Sequence, residues 1–186
     1  MTEMLLYGNG EIAVRSLEPE DAGLLVKWLS DPAVLEYYEG RDRPHDMNRV
    51  LEHFYNDETE TVQRGIILYR LQDIGYIQFY PLGEAAKEAY GYSEFIGNIF
   101  GMDQFIGEVS FWDRGIGSQL VRETVHYLIE SQRAAKIVMD PQCRNQRALR
   151  VYEKNGFMRR KRLPRHEWHE GEYRDCWLIE YSKIGE

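Results

Sequence analysis

The segment Phe111–Leu128, FWDRGIGSQLVRETVHYL, sets Arg114-Gly115-Ile116-Gly117-Ser118 directly before a run in which Leu120, Val121, Thr124, Val125 and Leu128 recur at helical spacing. At a helix N-terminus the first backbone N–H groups lack partners and the dipole is positive, and glycine permits close approach by a bulky anion. The chemistry this stretch suits is phosphate binding. A loop in which the glycines only turn the chain is the competing reading, and the segment by itself leaves both open. A dinucleotide-binding fingerprint would need glycine where Leu120 stands, and a Walker loop would need Gly-Lys followed by Ser or Thr, so hydride transfer and nucleotide hydrolysis lose ground. His166-Glu167-Trp168-His169 misses the zincin pattern because Glu170 occupies the second histidine's place. No metal site is expected, and His45, His53 and His126 read as scattered structural residues.

The elements that must position this stretch follow from periodicity and punctuation. Ile12–Arg15 alternates as a strand. Glu18-Pro19-Glu20-Asp21 opens a helix through Leu29, with proline in the first turn and acids near the positive end, and Asp31-Pro32 stops it. A weaker helix spans Met47–Tyr55. Gly65–Leu71 and Tyr76–Tyr80 read as strands joined at Gln72-Asp73, and Gly97–Phe105 as the next strand. After the glycine turn and its helix come a strand Lys136–Met139, a helix Asn145–Lys154 ended by Asn155-Gly156, and a strand Cys176–Tyr181. The order is mixed α/β, with strands early and a strand–helix–strand–helix–strand run late.

Length and composition bound the partners. The chain has 186 residues and no internal repeat, low-complexity tract or Gly/Ser linker, so a single domain over 1–186 is expected. No apolar run approaches the roughly 20 residues that span a bilayer, so no membrane partner is expected. The start, MTEMLLYGNGEIAVRS, lacks the order of basic, apolar and small residues of a secretory signal. The two cysteines, Cys143 and Cys176, fit neither a disulfide framework nor a metal-ligand spacing, so a cytoplasmic location is the default. Acidic residues outnumber basic ones by 31 to 23, which disfavours nucleic acid and suits a cationic small molecule, if the excess is not simply for solubility. The basic run Arg159-Arg160-Lys161-Arg162 reads as a solvated strand or loop.

Within this frame, R-G-I-G-S between a strand and an amphipathic helix resembles the pyrophosphate loop of the GCN5-related N-acetyltransferases, and Asn145-Gln-Arg-Ala-Leu-Arg-Val-Tyr152-Glu-Lys-Asn-Gly156-Phe157 resembles that family's late helix. Tyr76-Ile-Gln-Phe-Tyr80, Gly101-Met-Asp-Gln-Phe-Ile-Gly107, Asp140-Pro141 and the tail Leu163-Pro164…His169-Glu170-Gly171…Asp175-Cys176 are similar to the aminoglycoside 6'-N-acetyltransferases, including the acetyltransferase half of the bifunctional acetyltransferase–phosphotransferases. The similarity runs over about residues 10–182. No kinase half lies within the chain, so phosphorylation is not implied.

The resemblance implies a strongly twisted mixed sheet flanked by helices, with central strands splayed beside acetyl-CoA. It implies that Arg114, Gly115, Ile116, Gly117 and Ser118 hold the pyrophosphate, Asn145 the pantetheine arm, and amides near Phe105, Ile106 and Gly107 the thioester, where one can stabilise the oxyanion. Tyr152 stands as the acid for the leaving thiolate, and Asp103 as the carboxylate that locates the acceptor ammonium and takes its proton, directly or through water. Tyr37, Tyr38, Asp140 and Glu167 are the implied acceptor contacts, and Glu94 is added from the acids that crowd the segment before Gly97, carboxylates meeting ammoniums and aromatic faces covering rings. Neither cysteine has a recognisable base beside it, so direct transfer in a ternary complex is expected. Three other readings stay open: an acetyltransferase of a polyamine, siderophore precursor or peptide N-terminus; a non-catalytic acyl-CoA-binding module; and a nucleotide-binding module.

Overall fold

A computed structural model describes residues 4–56 and 61–183. Eight strands form one sheet in the order β1-β2-β3-β4-β5-β6-β8-β7. They are β1 (Leu5–Gly8), β2 (Ile12–Ser16), β3 (Gln63–Tyr69), β4 (Gln72–Pro81), β5 (Ile99–Ile106), β6 (Lys136–Met139), β7 (Met158–His169) and β8 (Glu172–Ser182). All neighbouring pairs are antiparallel except β5 with β6. That parallel pair registers only from Ile99–Gly101 against Lys136–Val138, while β5 runs on to Ile106. The sheet therefore opens at its centre.

Helices cover both faces because the central strands are apolar on both. Ile67 and Ile77 belong to the core under α5 (Ile116–Glu130) and α6 (Gln146–Lys154), whereas their neighbours Ile66 and Tyr76 pack with Leu25 and Trp28 of α1 (Ala22–Trp28). Successive side chains of a strand point to opposite faces, so each strand feeds both cores. The apolar positions expected to face inward on α5 do so, with Leu120, Val121, Thr124, Val125 and Leu128 all buried. Short helices α2 (Pro32–Leu35) and α3 (Met47–Val50, continued by a wide turn over Leu51–Tyr55) close the α1 side.

Several expectations need correction. The β3–β4 hairpin turns at Arg70-Leu71, with φ of 49° and 68°, and Gln72 and Asp73 already lie in β4. Asp31 does more than end a helix: its carboxylate accepts from the Ala33 N–H and starts α2. The segment 84–90 forms a helix, α4 (Glu84–Tyr90), stopped by left-handed Gly91. The basic run, by contrast, is the solvated strand that was one of its two expected forms: Arg159–Arg162 are exposed on the long edge strand β7, which pairs with β8. No helix among the described residues is long and apolar enough to cross a membrane.

Candidate active site

Where β5 and β6 part, a cleft of about 740 Å³ opens between them, floored by the start of α5 and walled by α6 and residues of α2. Tyr37, Tyr38, Asp103, Phe105, Ile106, Gly115, Gly117, Ser118, Asp140, Asn145, Tyr152 and Glu167 all line it, although they lie up to 130 positions apart in sequence.

One end is built to receive an anion. Gly115 takes a left-handed conformation, φ 78°, as the N-cap of α5, and a Cβ there would meet nothing within 4 Å. At Gly117 a Cβ would touch only Ile106 Cδ1, at 3.9 Å. The N–H groups that open α5 have no carbonyl one turn earlier and face this space with the helix dipole behind them. Ile116 serves differently from its neighbours: its side chain is a core residue, 1% exposed, so only its backbone is available to a ligand. Ser118 Oγ accepts from Asn155 Nδ2 at 3.0 Å, and Asn145 caps α6 by accepting from the Ala148 N–H at 3.2 Å. Arg114 is exposed, lies over the Phe111 ring at 5.2 Å and does not line the cleft. Arg147, Arg150 and Lys154 do line it, on one face of α6. Their spacing of three and four was the signal for this basic wall, and sequence reasoning passed over it.

The edge of β5 sorts the expected thioester amides. The Gly107 N–H donates to the Ile74 carbonyl at 2.7 Å, and its Cα lies so close to the Trp28 ring that a Cβ would fall 2.1 Å from it. Direction alternates along an antiparallel ladder, so the amides of Phe105 and Asp103 also face β4, and those of Gln104 and Ile106 face the open edge. Gly107 and Phe105 are thus packing residues with committed amides. Ile106 keeps a cleft-facing N–H, its carbonyl held by Trp112 Nε1 at 2.8 Å.

The other end gathers carboxylates. Asp103 Oδ2 accepts from Gln78 Nε2 at 3.0 Å and from Tyr80 Oη at 3.2 Å. Gly101 makes the second bond possible, because a Cβ there would lie 2.5 Å from the Tyr80 ring that crosses it. Tyr76 Oη donates to Gln78 Oε1 at 2.8 Å and locks that amide's direction. Burial raises the pKa of Asp103, the donors from Gln78 and Tyr80 offset part of this, and Asp140 and Glu167 push it further up. Asp140 Oδ2 accepts from Tyr90 Oη at 2.9 Å and from His166 Nε2 at 2.8 Å, and Glu167 Oε2 accepts from Gln142 Nε2 at 2.9 Å. Among the described residues no lysine or arginine pairs with any of these three acids. Gln78, Tyr80, Tyr90 and Gln142 were missed in the sequence; the i, i+2 spacing of Tyr76, Gln78 and Tyr80 on one strand face was the available signal. Glu94 is exposed and outside the cleft.

Between the two ends stands Tyr152, 9% exposed, whose hydroxyl oxygen accepts from Gln104 Nε2 at 2.8 Å. Burial holds its pKa above the usual phenol value, the nearby Asp103 adds to this, and the Gln104 donor opposes it. Tyr38 packs on Phe105, ring centroids 4.7 Å apart, and Tyr37 lies under Arg144 and Arg147 at 5.5 and 5.4 Å. Cys176 is fully buried and burial pushes its thiol pKa far up, which keeps it from acting as a nucleophile. No group of three or more metal-ligating side chains occurs among the described residues.

The sequence and fold that build this cleft have counterparts among known proteins. The aminoglycoside N(6')-acetyltransferase type 1 of Klebsiella pneumoniae is 29% identical over 153 residues, 81% of this chain and 76% of that protein. The crystal structure of aminoglycoside acetyltransferase AAC(6')-Ib in complex with coenzyme A superposes with a TM-score of 0.75 at 25% identity, covering 92% of this chain and 95% of that one. A spermidine N-acetyltransferase from Vibrio cholerae, solved with CoA and spermine, shares the fold with a TM-score of 0.75 at 17% identity, covering 94% and 96% of the two chains. The family model described as acetyltransferase (GNAT) domain matches residues 18–164, from the turn before α1 into β7, and the chain belongs to that family.

Proposed function

We propose that this chain transfers the acetyl group of acetyl-CoA to the 6'-amine of aminoglycosides, by direct attack in a ternary complex, as one cytoplasmic domain spanning residues 1–186. The observation that carries the reading is the meeting, in one cleft, of three carboxylates without lysine or arginine partners and the open amide start of α5. A polycationic aminosugar suits the first and a pyrophosphate the second. The Klebsiella pneumoniae relative is named for this reaction, which supports the choice of acceptor.

The residues present fit acetyl-CoA. The cradle at Gly115 and Gly117 is free of side chains, and Gly115, Ile116, Gly117 and Ser118 offer backbone to the pyrophosphate. Arg147, Arg150 and Lys154 bring positive charge along the same wall, with Asn145 at the head of their helix. Acetyl-CoA supplies the activated acyl group; the chain handles protons and charge. Asp103, with its raised pKa, draws the acceptor ammonium from its Asp140 and Glu167 side and takes one proton from it. The freed amine attacks the thioester carbon, and the Ile106 N–H on the open edge meets the negative charge on the carbonyl oxygen. Tyr152 gives its proton to the departing sulfur and recovers one from the new amide nitrogen, so one proton per turnover leaves through Asp103. Tyr37 and Tyr38 border the acceptor's rings.

The test is an acceptor screen by thiol release with acetyl-CoA. Aminoglycosides bearing a 6'-amine should be acetylated, and matched 6'-hydroxyl drugs poorly. Preference for a linear polyamine or a peptide N-terminus would move the enzyme to another acceptor class. Binding of acetyl-CoA with no acceptor turned over would make the chain a binding module.

A further inference from the structure

Gln104 has one end occupied and one end unexplained. Its Nε2 donates to Tyr152 Oη at 2.8 Å, yet its Oε1 is buried and accepts no hydrogen bond among the described residues. A buried acceptor left without a donor is costly, and such atoms in native structures call for a partner. The side chain lines the cleft between the cradle and the carboxylates, on the α5–α6 face of β5, opposite the face that carries Asp103.

The direction of the first bond matters. Because the amide donates into the phenol oxygen, the Tyr152 hydrogen is not used by Gln104 and can turn to another acceptor. Reversing the amide would consume that hydrogen and bury an unpaired N–H donor in place of the acceptor. A ligand that brings a donor for the free oxygen and an acceptor for the phenol proton would complete both bonds. The end of coenzyme A has both: a sulfur and, two methylene groups away, the cysteamine amide N–H.

Resting on the acetyl-CoA reading above, we propose that Gln104 is a positioning residue that holds the Tyr152 phenol with its amide nitrogen and receives the cysteamine N–H on its free carbonyl oxygen. One rigid primary amide then sets phenol and sulfur at a fixed separation. Asp103 and Gln104, adjacent on one strand and pointing to opposite faces, thereby serve the two proton transfers: the first directly, the second through Tyr152.

The test is a thermodynamic cycle read by calorimetry. Coenzyme A and an analogue carrying an ester oxygen in place of the cysteamine N–H are each titrated into the wild type and into Gln104→Met, which keeps length and loses both polar atoms. The wild type should bind the analogue about tenfold more weakly, as for loss of one neutral hydrogen bond, and Gln104→Met should bind the two ligands alike. A second variant, Gln104→Glu, keeps an acceptor but loses the donor to Tyr152; it should retain the penalty against the analogue while turnover falls. An equal penalty in wild type and Gln104→Met, or none in wild type, would overturn the proposal. If Gln104→Met does not fold, the wild-type pair and Gln104→Glu still decide it. Failure of the wild type to bind coenzyme A at all would overturn the acetyl-CoA reading as well, whereas binding without coupling overturns this inference alone.

Discussion

Two acidic sites in this chain, one buried and one lining the cleft, are built in opposite ways. Glu180 on β8, 4% exposed, accepts from Lys136 Nζ at 2.9 Å, Arg160 Nη2 at 2.9 Å, Ser182 Oγ at 2.7 Å and Tyr92 Oη at 2.5 Å. Burial alone would raise its pKa, but these donors outweigh it and hold the carboxyl down at about 2. Asp103 lies only two positions beyond Gly101, which pairs with β6 directly, yet it has two neutral donors, two acidic neighbours and a raised pKa. The first site satisfies its charge within the protein and so contributes to the fold. The second leaves its charge for something else to satisfy, and that is the signature of a binding site for a cation.

If this division is right, substitutions at the two sites should separate function from stability. The largest effect belongs to the cleft: Tyr152→Phe keeps the ring and deletes the proton donor. Turnover should fall by roughly 10²–10⁴ with coenzyme A affinity and melting temperature little changed. Normal turnover would make the tyrosine a packing residue. Glu180→Gln should do the reverse. Removing the charge from Lys136 and Arg160 should cost about 3 kcal/mol, the low end for breaking a buried ion pair because Arg160 keeps contact with water, with the kinetic constants of the folded enzyme preserved.

The pH dependence carries the same contrast with the sign worked out. Glu180 has a folded pKa below its ordinary value of 4.5, so its stabilisation is present above about pH 5 and is lost as pH falls toward about 2. The Glu180→Gln penalty, measured by thermal melts, should therefore vanish at the acid end. Asp103 has a folded pKa above 3.8, so ionising it costs the fold stability as pH rises through the raised value. A smaller effect is expected at the cradle. Gly117 does not need a positive φ and has open space beside it, so Gly117→Val should fold normally and weaken coenzyme A binding by about tenfold through the branched side chain at the anion's approach. Unchanged affinity in calorimetry would remove the cradle.

What could be read in the sequence follows the strength of local signals. Helix α5 was legible because its apolar positions repeat at helical spacing and its glycine cap precedes them directly. β7 was not, because an edge strand reading MRRKRLPRHEWH buries little and carries charge and proline where an inner strand carries apolar residues. α4 was equally silent: none of its residues is fully buried, and only Ala86 and Tyr90 pack inward, too few to mark a stripe in EAAKEAY. The Arg70-Leu71 turn lacks the Gly or Asn that usually marks positive φ. In the site, Asp103, Asp140 and Glu167 were named from resemblance, and the structure brings them into one cleft. Glu94 shows why acid content alone misleads, since it stands on the outer surface. Gly107 shows that a conformationally free residue can be needed only to admit a tryptophan ring. The hydrogen bonds of Gln78, Tyr80 and Gln104 depend on strand register, which a single sequence does not display.

The central claim is that Asp103 holds an unsatisfied charge for the acceptor amine, and Asp103→Asn tests it most directly. Thiol release should be compared for wild type and variant with a 6'-amino aminoglycoside and a matched 6'-hydroxyl drug, alongside coenzyme A affinity and a melt. The account predicts that turnover on the amino drug falls by about 10²-fold or more, coenzyme A binding survives, the melting temperature is unchanged or higher at neutral pH, and the hydroxyl drug is poor with both proteins. Intact turnover of the amino drug by Asp103→Asn, or equal acetylation of the hydroxyl drug by the wild type, would contradict it.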